Sequence, residues 1–166
     1  MNIFGNVERR AQQAFRHLCT QFGHAPSAED PLQALDEQVG IERRLDYYVR
    51  RQFFSRIYKL DVRYALNMST VPEGRAKWVK GRHWKSDQTA LEAWLNQSPE
   101  LTASLRSLDT EQVELTSEQG QVNLRVRPLP GCFVWTLLPP MHYFVRMKEN
   151  EVALISGLPA LLQARC

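Results

Sequence analysis

The chain is 166 residues long, 43% hydrophobic and 23% charged, a balance that excludes a disordered chain and fits one globular domain spanning 1–166. Its net charge of +3 conceals a basic middle, because residues 42–85 hold twelve Lys/Arg against four Asp/Glu while both flanks are acidic. Three scattered cysteines with no CxxC exclude a disulfide framework or a zinc knuckle.

Met1 to Arg10 lacks the apolar stretch of a signal peptide, and no apolar run nears the roughly 18 residues of a membrane span. A cytoplasmic protein with reduced thiols and no membrane insertion is the expectation.

Val7, Ala11, Ala14, Phe15, Leu18 and Phe22 form a single apolar stripe at helical spacing, so the chain opens on an amphipathic helix that must pack on a sheet. Asn6 can cap it and Gly23 can stop it. A short second helix is expected next, with Asp30 as cap, Pro31 in the first turn and Gly40 beyond its end.

From Ile41 the period changes to two. Of the even positions 54–68, only Arg56 is not apolar or aromatic, which reads as a strand with one dry face and one wet face. Upstream the apolar set is odd (Leu45, Tyr47, Val49), so a bulge or turn is expected near Arg50–Phe53. A helix over 41–58 also fits the four-residue recurrence of Ile41, Leu45, Val49, Phe53 and Ile57, but the β-branched and aromatic content favours strand.

Val71-Pro72-Glu73-Gly74 is a turn leading into a strand over Arg75–Lys85. Ser86 or Asp87 then caps a helix bearing Leu91, Trp94 and Leu95, and Ser98-Pro99 starts another through Leu101, Leu105 and Leu108. The last third reads as a β-meander of strands Gln112–Thr116, Gln121–Arg127, Cys132–Leu138 and His142–Lys148. Asn150 caps a closing helix that Pro159 breaks or restarts. The expected fold is α+β, an antiparallel, meander-type twisted sheet packed by helices in the order αα-βββ-αα-ββββ-α.

No catalytic, cofactor or metal motif is written in these residues. His17, His24, His83 and His142 have no ligand partners at metal spacing, and the carboxylate pairs Glu29/Asp30 and Asp36/Glu37 read as helix-end solvation. Cys132 opens an apolar strand, where a thiol is packing; His142 could stand across a hairpin from it, but nothing supplies the electropositive niche of an activated thiolate. No cofactor is therefore expected.

Three non-enzymatic readings follow. The leading one is a protein-interaction module that binds a protein partner or forms a homodimer through exposed apolar and sheet-edge surface. The second is nucleic-acid binding by the basic segment, with Arg75, Lys77, Lys80, Arg82 and Lys85 neutralising phosphates while Trp78 and Trp84 stack on bases. The third is a pocket for a small apolar ligand, lined from Trp78, Trp84, Trp94, Trp135, Tyr47, Tyr48, Tyr58 and Tyr64.

Overall fold

The computed structural model describes residues 3–79 and 81–165. Four helices pack against one antiparallel sheet of nine strands: α1 (Ile3–Gln21), β1 (Gln33–Gln38), β2 (Ile41–Arg51), β3 (Ser55–Asn67), β4 (Gly74–Val79), β5 (His83–Ser86), α2 (Thr89–Asn96), α3 (Pro99–Ser107), β6 (Thr110–Glu118), β7 (Gln121–Pro128), β8 (Phe133–Thr136), β9 (Met141–Phe144) and α4 (Glu149–Gln163). The α+β class and the helix-packed antiparallel sheet are those expected from the sequence.

Several segments differ in detail, among them the expected caps Asn6 and Asn150, which lie inside α1 and α4. The expected second helix is strand β1 and its turn: the Asp30 carboxylate accepts from Leu32 N–H at 2.9 Å, and Gly40, at φ 78°, turns β1 into β2. Asp, Pro and Gly serve turns as well as helix ends, and here the turn prevailed. The strand expected over 75–85 is a hairpin, β4 and β5, turned through Gly81 at φ 73°. The last four strands are two hairpins rather than one meander, since β7 and β8 lie end to end along the same edge of β3.

The strand order is β1-β2-β3-β7-β6-β4-β5, with β8 and β9 continuing outward from the first half of β3. The even residues Tyr58, Leu60, Val62, Tyr64 and Leu66 of β3 are buried. They meet α1, whose Phe15 ring stands 5.0 Å from Tyr47, and α4, whose Ile155 carbonyl accepts from the Tyr64 hydroxyl at 3.0 Å. Between β7 and β8 the backbone passes close under α1. A Cβ on Gly131 would stand 3.2 Å from Leu60 and 3.3 Å from Met147, and the Tyr47 hydroxyl donates to the Gly131 carbonyl at 2.6 Å.

Pro159 neither breaks nor restarts α4; it lies within it. Proline lacks the N–H that would bond the carbonyl four residues back, which is that of Ile155. Tyr64 supplies the missing donor, so the helix runs on unbroken.

Candidate functional site

The helices all stand on the Tyr58–Leu60 side, α3 by way of α2 and α4. The opposite face of the sheet carries no helix, and its side chains form an ion network. Register places Arg44 of β2, Arg63 of β3, Arg125 of β7, Glu114 of β6, Lys77 of β4 and Lys85 of β5 in one row across six strands. Five cations flank one carboxylate, and neighbouring strands are only about 4.8 Å apart.

Asp46 and Asp61 in the neighbouring row, with Glu111 and Glu114, offset that repulsion. Asp61 is 1% exposed and receives Arg127 through Nε at 2.7 Å and Nη2 at 2.9 Å, Arg125 through Nη2 at 2.9 Å, and an ion pair to Arg63 at 3.6 Å. Burial alone would raise the Asp61 carboxyl, but the bonds from Arg127 and Arg125 outweigh it and hold the group below the usual carboxylate range. Lys59 is held by Glu111 at 2.7 Å, Lys77 by Glu114 at 3.2 Å and Arg44 by Asp46 at 3.1 Å. The Arg127 guanidinium also lies 5.0 Å from the ring centre of exposed Tyr48.

At one end of the sheet the character changes. The β2–β3 turn projects Phe53, 92% exposed, and Phe54, packed edge-on at 4.6 Å. The β8–β9 turn projects Leu137 and Leu138, and Leu137 N–H donates to the Phe54 carbonyl at 2.8 Å, joining the two turns. Met141 and Tyr143 of β9, both exposed, continue the surface. The result is one apolar tip from turns more than eighty residues apart in the chain. Arg50 and Arg51 precede the β2–β3 turn and Arg56 follows it, and no Asp or Glu occurs in 47–60 or in 119–148.

Beside the tip, α1 and β9 enclose a groove of about 520 Å³ lined by Arg10, Gln13, His17, His142 and Arg146 over a floor of Ala14, Phe133 and Phe144. Arg10 Nη1 lies 2.7 Å from the His142 ring nitrogens, and the His17 ring meets Phe144 edge-on at 6.0 Å.

The amino-acid pattern of residues 20–166 matches one known family. The chain belongs to the family described as “Protein of unknown function (DUF3156)”. No curated protein and no solved structure matches it. The family match covers the whole sheet, the tip and β9, and it omits most of α1 and with it Arg10 and His17.

The residues singled out for nucleic acid divide between the two faces of the sheet. Arg75, Lys77 and Lys85 project from the bare face, whereas Arg82 lies in the β4–β5 turn. Lys80 lies outside the described residues. Trp78 and Trp84 are buried on the helix side, edge to face at 5.8 Å, so neither ring is available to stack on a base. Elsewhere in the basic segment, Arg43 and Arg56 turn to the helix side, Arg43 donating to the Phe22 carbonyl at 2.9 Å and contacting His24, and Arg56 reaching Glu8 at 3.4 Å.

The aromatic residues considered for a ligand pocket mostly fill the core. Tyr47 packs on Tyr58 at 6.0 Å and Tyr58 on Phe133 at 5.8 Å, while the α1–β9 groove is lined by none of those named for a pocket. Burial raises the Cys132 thiol, the opposite of what activates a thiolate. Among the described residues no group of three His, Cys, Asp or Glu is arranged to hold a metal ion, and no helix is long and apolar enough to cross a membrane.

Sequence reading did not single out the tip. The signals were present in Phe53-Phe54 at a parity break and in Leu137-Leu138 before two prolines. Each looks like an ordinary turn until β3–β8 pairing sets them side by side.

Proposed function

We propose that this chain is a non-catalytic interaction module of the cytoplasm that docks on a protein partner through its apolar tip. The observation that carries the reading is the continuity of Phe53, Phe54, Leu137, Leu138, Met141 and Tyr143 across two turns, all exposed. Contiguous apolar surface with a polar rim is the signature of a docking site, and covering one fully exposed phenylalanine contributes about 1.5–3 kcal/mol. The bare face supports the same choice by contrast, because its own carboxylates already hold Lys59, Lys77, Arg44, Arg125 and Arg127. That leaves the tip as the surface with unmet burial.

A photo-crosslinking residue placed at Phe53 or Leu138, in cells that express the protein, tests this directly. The same residue at Val39, fully exposed in the β1–β2 turn at the other end of the sheet, is the control. Discrete protein adducts from the tip but not from Val39 are expected. Adducts equal at both ends, or none from the tip, would overturn the reading.

A further inference from the structure

The nine-stranded sheet has three outer strands, and two of them are guarded. At β5 the Trp84 N–H and carbonyl are both taken by the Asn96 side chain, at 2.8 and 3.0 Å, and Ser86 N–H by Glu92 at 2.9 Å, so α2 seals that edge. β1 carries Asp36 and Glu37, the charged side chains that discourage strand addition. β9 has neither device. It pairs with β8 alone, and its sequence is Met-His-Tyr-Phe.

Val145 N–H bonds back to Cys132, so by the alternation of an antiparallel ladder the odd residues of β9 face β8. The N–H and C=O groups of His142 and Phe144 then point outward along the open edge. A strand laid there would send its side chains alternately to two different surroundings. On the bare side stand Met141 and Tyr143, next to Val134, in an apolar strip continuous with the tip. On the helix side lies the α1–β9 groove, with Arg10, His17, His142 and Arg146 and no carboxylate in its lining.

From this we infer that the open edge of β9 receives an extended segment of a partner protein, added as a tenth strand, in which acidic residues alternate with aliphatic ones. The acidic side chains enter the groove and the aliphatic ones cover Met141 and Tyr143. This rests on the docking reading above and specifies its partner. Main-chain bonds to His142 and Phe144 supply affinity, and the charge alternation supplies choice of register and partner. A second copy of this chain fits the edge poorly, because it would bring the same cationic groove against itself.

The test is fluorescence anisotropy of a labelled peptide alternating Ile and Glu over eight residues, against the same peptide with Lys for Glu, on the full chain. Saturable binding of the Glu peptide alone is expected, weakened at least about tenfold by Arg10→Glu with Arg146→Glu, while that variant gains the Lys peptide. Both arginines are exposed, so the variant is expected to fold, and circular dichroism is the check on that. Amide exchange should slow at His142 and Phe144 when the Glu peptide binds.

No binding of the Glu peptide, equal binding of both peptides, or binding indifferent to the charge reversal would overturn the strand-addition inference. Concentration-dependent self-association that protects the same amides would overturn it in favour of a second copy, and binding to anionic vesicles but not to the peptide would do so in favour of a lipid surface. Tip crosslinks that persist while the peptide fails would leave the docking reading standing; loss of both would remove the two together.

Discussion

The Tyr64 hydroxyl donates at 3.0 Å to the carbonyl of Ile155, the one acceptor in α4 that Pro159 deprives of its helical partner. Strand β3 therefore completes a hydrogen bond that the helix cannot make for itself. Tyr64→Phe leaves that carbonyl buried and unsatisfied and should cost about 1–3 kcal/mol in chemical denaturation. Pro159→Ala restores the N–H, so the double variant should recover part of the loss. Simple addition of the two effects would show that the two sites are not coupled.

The same burial gives the fold an alkaline limit. Tyr64 is pushed up to about 12, first by burial, with Arg43 opposing, so the folded chain holds its phenol proton more tightly than the unfolded one. Its contribution is full below the ordinary tyrosine value near 10 and is lost as pH rises from there toward 12. Denaturation midpoints between pH 9 and 12 should fall more steeply for the natural chain than for Tyr64→Phe.

Asp61 sets the opposite limit. Its folded carboxyl lies below the ordinary range, so the stability it brings is present above the unfolded value and lost as pH falls through the folded one. Asp61→Asn strands Arg127 and Arg125 and should cost about 3–5 kcal/mol at neutral pH. The deficit relative to the natural chain should shrink on acidification, and one that stayed constant with pH would mean that the charge is not what Asp61 contributes.

Trp84 and Lys77 separate interior from surface within the segment read from sequence as a nucleic-acid site. Trp84→Ala should lose about 3–5 kcal/mol by opening a cavity beside Trp78. Lys77→Gln, which breaks only a partly exposed pair with Glu114, should change stability by less than about 1 kcal/mol. Urea unfolding of the two variants decides the matter.

Cys19 is fully buried in α1, and its thiol is pushed up to about 12 chiefly by that burial. Iodoacetamide should leave it unmodified in the folded protein and label it once the chain is unfolded in urea, as read by peptide mass spectrometry. Labelling under native conditions would place α1 off the sheet.

What could be read from sequence was what depends on local periodicity. The even residues from Tyr58 to Met68 are the buried apolar ones, the stripe from Val7 to Phe22 lies in the core, and Ser98 caps α3 by accepting from Leu101 N–H. Residues 41–51 and 55–58 are strand, and the parity break between them is a turn. Local signals failed where one residue serves two structures, as Asp30 and Gly40 did. The tip and the groove were not legible, because each joins residues that only pairing brings together: Phe54 with Leu137, and Arg10 with His142. Nor could sequence show that Asp61 collects three arginines from two strands, since that depends on β7 lying beside β3.

The end-to-end arrangement of β7 and β8 has a mechanical consequence. β3 is held along one edge by β2 from Arg56 to Leu66, and along the other by β8 and then β7 in succession. A pull on Phe53–Phe54 along the strand axis draws β2 and β3 together and loads the ladders outside them, β2 with β1 and β3 with β8 and β7, in shear. A pull on β9 opens its short ladder with β8 one bond at a time. A partner gripping the apolar turn thus pulls on several ladders at once, whereas one held only at the open edge can be peeled away.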